Sequence, residues 1–234
     1  MQLFYDPELV EGTHRLREQE AQHAARVLRK RPGDRIDLVD GRGGWYTAII
    51  TDLGKRDCLL DVEKLRQETR RAPHTLTLLV APTKQIDRFE WLLEKVTEIG
   101  VDRIQPILTE HSERSRLRLE RLERVTESAM KQSLRAWLPL LCEPLPFAEA
   151  VATTQGEGRY LAYLGDPVTE QLSTCVPAQT ARLTVAIGPE GGFSPEEARL
   201  AAHHGFTWVR LGPHRLRTET AAITAVHTLE SARW

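Results

Sequence analysis

The chain has 234 residues, of which 41% are hydrophobic and 28% are charged, and its formal net charge is −1. A chain of this length forms one large or two modest domains, each with its own core, and we expect two. The near-neutral balance excludes a surface that is basic throughout, so any contact with nucleic acid must be local.

Three cysteines, Cys58, Cys142 and Cys175, are widely spaced, and the sequence has no Cys-x-x-Cys pair. This spacing argues against a disulfide framework and against a zinc site, so we expect no metal. The sequence begins without an apolar signal core, and it has no apolar run of the ~18 residues that a membrane span needs. We therefore expect a cytoplasmic protein that is not inserted in a membrane.

Residues 14–35 hold a local basic excess. Ala24, Val27 and Leu28 recur at helical spacing, which predicts a helix that ends at Pro32-Gly33. Four basic side chains on or near its exposed side are candidate RNA contacts: Arg26, Arg29, Lys30 and Arg35. A solvated helix face explains the same pattern equally well.

Short β-like runs separated by turns follow at residues 35–39, 45–50 and 58–62. Strands of this length and spacing predict a small β-barrel. The polar stretch at residues 64–74 then marks a domain boundary. We expect an N-terminal β-barrel domain over residues 1–70 and a second domain over residues 73–234.

The second domain alternates strand and helix patterns, which predicts an α/β fold with a mainly parallel sheet. The strands are predicted at residues 76–81, 101–108, 138–142, 159–164, 183–187 and 206–211. Helices are predicted at residues 88–100 and 113–135, after Ser194, and from Thr218 or Glu219. Ser194, Pro195 and Glu197 have the spacing of a capping box with proline in the first helical position.

Two strand candidates end in a Gly-Pro turn, Gly188-Pro189 and Gly212-Pro213, and each turn leads within a few residues into a helix start. Glycines allow the backbone to approach a ligand closely, and strand-to-helix junctions of an open α/β sheet are the usual ligand sites. The loop at residues 187–192 lacks the lysine of a phosphate-binding loop and the spacing of a dinucleotide-binding turn. An adenosine-like ligand such as S-adenosylmethionine therefore fits this loop better than a nucleoside triphosphate or NAD. If only one such turn were present, a strand-to-helix connector without a ligand would be the alternative.

The two turns together resemble those of the small-subunit ribosomal RNA uridine-N3 methyltransferases, the RsmE type, within the SPOUT superfamily. The resemblance rests on residues 23–29, Lys84, Asp87-Arg88, Glu90, and residues 95–101, 187–192, 211–212 and 216–221. It implies a PUA-like N-terminal β-barrel that binds RNA and a C-terminal α/β domain with a trefoil knot. It also implies a homodimer, S-adenosylmethionine as cofactor, and 16S rRNA of the small ribosomal subunit as substrate.

The resemblance also implies which residues bind. The cofactor set is Leu164, Gly165, Ile187, Gly188, Glu190, Gly191, Gly192, Leu211, Gly212, Leu216, Arg217 and Thr218. Further RNA contacts are Lys84, Arg88, Gln132 and Arg135. The family tends to have Glu-Gln-Ser-Gly-Arg where this chain has Lys131-Gln-Ser-Leu-Arg135, and Thr-Glu-Arg-Ser where it has Thr109-Glu-His-Ser112. The nearby Arg114 takes the place of the arginine of this family motif if the two sequences are aligned with a shifted register.

Two residues are the catalytic candidates for this reaction. The N3 of uridine becomes nucleophilic only when its proton leaves and the resulting anion is stabilised. We expect Arg217 to stabilise this anion or orient the base, and Glu219 to accept the proton or hold Arg217. Without the resemblance, a surface arginine and a first-turn glutamate explain these residues. The uridine must be unpaired or flipped out, because pairing buries N3.

Two other functions share the same scaffold. One is a non-catalytic RNA-binding or ribosome-assembly factor, and the other is a SPOUT enzyme that methylates another RNA position, such as a ribose 2′-oxygen or guanine N1. The fold and the cofactor do not separate these possibilities, because function depends on the site.

Overall fold

The computed structural model describes residues 2–69, 75–165, 168, 170–176 and 182–232. The chain divides into two units, one of Met1–Arg70 with Glu127–Leu138 and the other of Arg71–Thr126 with Pro139–Trp234. In the described part of the chain, every helix is too short or too polar to cross a membrane.

The first unit contains one mixed sheet of five strands in the order β1-β3-β4-β5-β2. Its strands are β1 (Leu3–Tyr5), β2 (Gly12–Arg15), β3 (Arg35–Val39), β4 (Gly44–Leu53) and β5 (Cys58–Gln67). β1 and β3 are parallel, and the other pairs are antiparallel. The predicted β character is confirmed, and β3, β4 and β5 contain the three predicted strands.

The basic helix of this unit differs from its prediction. Helix α1 (Glu18–Gln22) continues as a π-helical turn over His23–Val27, five residues before Pro32. Val27, predicted to pack inward, is 65% exposed, because the wider π turn rotates it away from the face that Ala24 buries. The φ angle of Arg29 is 53°, a left-handed conformation that is incompatible with a continuing helix.

The second unit is built on seven parallel strands in the order β12-β10-β11-β6-β7-β8, with β9 also paired to β7. The strands are β6 (Thr75–Val80), β7 (Arg103–Leu108), β8 (Leu140–Leu141), β9 (Leu145–Pro146), β10 (Gly158–Ala162), β11 (Arg182–Ile187) and β12 (Thr207–Val209). The helices are α2 (Ile86–Ile99), α3 (Leu119–Gln132), α4 (Phe147–Thr153), α5 (Leu172–Cys175), α6 (Pro195–His203) and α7 (Thr218–Ser231). The predicted parallel α/β sheet is confirmed.

The core of the second unit follows from its apolar pattern. The inner face of α2 buries Phe89, Leu92, Leu93 and Val96 completely, against β6, β11 and α7. Gly100 ends α2 with a φ of 129°, a conformation that favours glycine. The packing of α2 and α7 on the same core brings their first turns close together.

Helix α3 is shorter than predicted, because it begins at Leu119 and not at residue 113. Its end, from Glu127, belongs to the first unit, where Met130 joins an apolar cluster with Tyr5 and Trp45. Lys131, one of the departures from the family pattern, forms an ion pair with the buried Glu20. Lys131 therefore contributes to the packing of the first unit.

Leu134 is the other departure in this segment, where the family tends to have glycine. Its φ is 54°, in the left-handed region, and 42% of the residue is exposed. Glycine adopts this conformation without the ~1–2 kcal/mol penalty of other residues. Leu134 therefore adopts a backbone conformation that favours glycine.

The capping box of α6 is confirmed. Ser194 Oγ accepts a hydrogen bond from the Glu197 amide at 3.3 Å, and Glu197 Oε2 accepts one from the Ser194 amide at 2.9 Å. Glu197 Oε1 also accepts a hydrogen bond from the Glu110 amide at 2.9 Å. The start of α6 is therefore joined to the segment that follows β7.

We predict that Ser194→Ala lowers the free energy of unfolding by about 1 kcal/mol, because the first turn of α6 loses its acceptor. Urea denaturation followed by circular dichroism measures this change. Ser194→Asp, which supplies an equivalent acceptor, should stay close to wild type, as should the control Ser173→Ala at an exposed position of α5. Equal stability of Ser194→Ala and wild type would contradict the capping role.

Candidate functional site

A cavity of about 710 Å³ lies at the carboxyl ends of β10, β11 and β12. These three strands are neighbours and parallel, so the turns that follow them meet at the same edge of the sheet. The lining consists of residues 162–165, 187–193, 195, 209–212, 214–218 and 221. Every residue that the sequence assigned to a cofactor is in this lining, and their role in binding stays a prediction.

The turn at residues 188–192, here called the glycine turn, has glycine where its packing leaves little space. A Cβ atom on Gly188 would lie 3.2 Å from the backbone of Gly192 and Phe193, and one on Gly191 would lie 2.9 Å from His111 Cβ. Gly192 has a φ of 73°, in the left-handed region. Gly188 and Gly191 therefore favour glycine because a Cβ would be crowded, and Gly192 favours it because of its backbone conformation.

Hydrogen bonds from other segments hold the glycine turn. Thr218 Oγ1 donates to the Gly188 carbonyl at 3.1 Å, and Arg215 Nη2 donates to the Glu190 carbonyl at 2.7 Å. The Lys84 amide donates to Glu190 Oε1 at 3.0 Å, and His111 Nδ1 lies 3.1 Å from the Gly192 carbonyl. Since a carbonyl only accepts, that contact requires the histidine tautomer with a proton on Nδ1.

The segment after β7 supports this arrangement from outside the cavity. Arg114 donates hydrogen bonds to the carbonyl groups of Thr83 and Lys84. The Lys84 side chain is paired with Glu113 at 2.7 Å, and this hydrogen bond raises the pKa of Lys84. Lys84, predicted as an RNA contact, is thus an exposed side chain with an acidic partner.

The walls of the cavity combine apolar side chains with backbone polar groups. Leu164, Leu211 and Leu216 contribute apolar surface above the buried Ile187 and Val209, and the three turns contribute amide and carbonyl groups. Such a lining suits a flat heterocycle whose edge forms hydrogen bonds. Among the described residues, no group of three or more His, Cys, Asp or Glu is placed to hold a metal ion.

The structure separates the two catalytic candidates. Arg217 lines the cavity and is exposed, and no hydrogen bond or ion pair joins its guanidinium to another described residue. Glu219 is buried and is not one of the described residues that line the cavity. Its carboxylate pairs with Arg88 at 3.3 Å, so the partner of Glu219 is Arg88, which the sequence had placed among the RNA contacts.

The other RNA candidates lie in the first unit. Arg26 and Arg29 are exposed, Lys30 is half-buried, and Arg35 donates a hydrogen bond to Thr47 Oγ1 at 2.7 Å. Gln132 is exposed and Arg135 is half-buried.

Sequence reasoning missed one basic neighbour in this unit. Arg26 and Lys55 line a shallow depression with Ala25, Leu53 and Gly54. The charged tip Gly54-Lys55-Arg56, between two predicted strands, was the available signal.

We predict that Gly191→Ala destabilises the glycine turn by about 1–3 kcal/mol, because the new methyl group overlaps the His111 side chain. His111→Gly removes the overlapping Cβ, so the same substitution should cost less in that background. A double-mutant cycle on the free energy of unfolding measures the coupling. Equal costs in both backgrounds would show that the overlap does not constrain the turn.

The sequence and the structure were compared with known proteins. The family model of the RNA methyltransferase domain matches residues 70–230, and that of the RNA methyltransferase PUA domain matches residues 16–63. The ribosomal RNA small subunit methyltransferase E of Synechocystis sp. is 32% identical over 224 residues, which cover 94% of this chain and 73% of the relative.

Two crystal structures are similar over nearly the whole chain. A probable rRNA-methyltransferase from Porphyromonas gingivalis has a TM-score of 0.86 and 42% identity, with 99% of each chain covered. A ribosomal RNA small subunit methyltransferase E from Neisseria gonorrhoeae, bound to S-adenosyl methionine, has a TM-score of 0.87 and 30% identity. That match covers 99% of this chain and 97% of the other.

Proposed function

Because the chain belongs to the ribosomal RNA small subunit methyltransferase E family, we propose that it methylates N3 of a specific uridine in 16S rRNA, with S-adenosylmethionine as donor. The observation that carries this proposal is the cavity at three adjacent strand ends, lined by the glycine turn and by Arg217. The small ribosomal subunit is the proposed partner, and the cytoplasm the proposed location.

The cavity fits the proposed cofactor. Leu164, Leu211 and Leu216 offer apolar surface to an adenine ring, while the backbone of the three turns offers donors and acceptors to its edge. The crystal structure of the relative from Neisseria gonorrhoeae, which is bound to S-adenosyl methionine, supports this assignment. When bound, the cofactor supplies an electrophilic methyl group on a positively charged sulfur.

Arg217 is the proposed catalytic residue. Loss of the N3 proton to water leaves a negative charge that uridine shares with two carbonyl oxygens, and a guanidinium beside the base stabilises that charge. Arg217 lies at the cavity and has no acidic partner among the described residues, so its charge is available to the substrate. The same position lets it orient the base before the methyl group is transferred.

The first unit is proposed to bind RNA. It matches the RNA methyltransferase PUA domain, and its basic candidates Arg26, Arg29, Lys30 and Arg35 are joined by Gln132 and Arg135. Phosphate contacts from these side chains would hold folded RNA with an unpaired uridine. The domain limits at residues 1–70 and 73–234, the homodimer and the trefoil knot belong to the same proposal.

The product decides between the proposed reaction and its alternatives. Small subunits from cells lacking the protein are incubated with the purified chain and S-adenosylmethionine, and the rRNA nucleosides are analysed by mass spectrometry. We expect 3-methyluridine. Another methylated nucleoside would identify a different SPOUT reaction, and cofactor binding without any methylated product would favour a non-catalytic assembly factor.

We predict that Arg217→Ala lowers kcat by roughly 10²–10³-fold, the effect of removing one group that stabilises a developing anion. Its affinity for S-adenosylmethionine, measured by calorimetry, should stay within about threefold of wild type, because the backbone provides most of the binding groups. Arg199→Ala on the exposed face of α6 is the control and should retain full activity. Wild-type turnover of Arg217→Ala would contradict the assignment.

A further inference from the structure

Arg88 and Glu219 connect the first turns of α2 and α7. Arg88 Nη1 donates a hydrogen bond to Glu219 Oε1 at 3.3 Å. The Glu219 side chain is 10% exposed and that of Arg88 is 39% exposed. In the part of the chain that the structure describes, no other hydrogen bond or ion pair engages either side chain.

This environment commits the Glu219 carboxylate to Arg88. A carboxylate that is removed from water is unfavourable unless it is paired, and the N-terminus of α7 adds a further favourable interaction with negative charge. Glu219 is also absent from the described lining of the cavity. It is therefore badly placed to take a proton from a base that enters there.

The start of α7 is held at two neighbouring points. Thr218 Oγ1 binds the Gly188 carbonyl of the glycine turn, and the next residue, Glu219, binds Arg88. Arg217 immediately precedes both and lies at the N-cap position of the helix, with its side chain at the cavity. Because Arg217 immediately precedes the first turn of α7, a change in the direction of that turn would displace its side chain.

We infer that Arg88 and Glu219 are positioning residues for methyl transfer: their ion pair fixes the start of α7 and so aims Arg217 at the uridine. This inference rests on the proposed function. It assigns Arg88 a role different from RNA binding, because a phosphate that took the Arg88 guanidinium would leave the buried Glu219 charge unpaired.

The test uses Arg88→Ala, Glu219→Gln and the double variant, with steady-state methylation of small-subunit rRNA as the assay. A displacement of about 1 Å at a catalytic group costs up to ~10²-fold, so we expect each single variant to lower kcat roughly 10–100-fold. The KM for RNA should stay within about twofold of wild type. The kcat of the double variant should be no lower than that of the less active single variant. Arg88→Lys, which retains a charge for Glu219, should recover most of the activity.

The matched control is another ion pair between helices of the same unit. Arg121 of α3 donates to Glu90 of α2 at 2.8 Å, and neither residue belongs to α7. Arg121→Ala should keep the wild-type kcat. Thermal melting of every variant identifies any loss of activity that comes from unfolding.

An RNA contact at Arg88 gives a different result. Arg88→Ala would then raise the KM for RNA, leave kcat unchanged and reduce the salt dependence of RNA binding by about one phosphate contact. Glu219→Gln would change neither the KM for RNA nor the salt dependence. That outcome, or losses that multiply in the double variant, would overturn the inference.

Failure of the proposed function is a separate result. A wild-type protein that transfers no methyl group to rRNA contradicts the proposed function, and the pair is then judged on calorimetric affinity for S-adenosylmethionine alone. Equal and non-additive losses in Arg88→Ala and Glu219→Gln would support the positioning of α7, because Thr218, next to Glu219, holds the Gly188 carbonyl of the glycine turn. Unchanged affinity in both variants would contradict it.

Discussion

The cavity depends on the restraint of the glycine turn by its neighbours. Glycines offer backbone groups to a ligand, but they have no side chains with which to hold their own conformation. Thr218 and Arg215 bind two carbonyl groups of this turn, His111 contacts a third, and the Lys84 amide holds the Glu190 side chain. These contacts come from three segments that are distant in the sequence, so the shape of the cavity is a property of the whole second unit.

This restraint separates binding from chemistry. Backbone groups and apolar walls account for the proposed recognition of the cofactor, which leaves few side chains for the reaction. Arg217 is exposed at the cavity, whereas Glu219, two residues later, is buried and paired with Arg88. We propose that Arg217 contacts the substrate and that Glu219 holds Arg217 in place, although the two residues belong to the same short motif.

Much of the second unit was predictable because its longer strands are short apolar runs, three of them followed by Gly165, Gly188 or Gly212, and because Ser194 and Glu197 have local capping chemistry. The turns after these three strands, which line the cavity, were predictable for the same reason. Arg88 and Glu219 lie 131 residues apart, and Lys131 and Glu20 lie 111 apart, so no local pattern indicated either pair. The strands β1 and β2 were missed because three or four residues show too little alternation, and the exposure of Val27 follows from a π turn that helical spacing does not encode.

Hydrogen exchange with and without S-adenosylmethionine shows whether the three turns bind the cofactor through their backbone groups. Backbone amides respond to a ligand that binds through backbone groups and to a turn that becomes further restrained. If the turns bind the cofactor in this way, we expect slower exchange at residues 162–165, 187–193 and 209–218, and unchanged exchange in β3, β4 and β5. Protection elsewhere, or no protection at saturating cofactor, would contradict it.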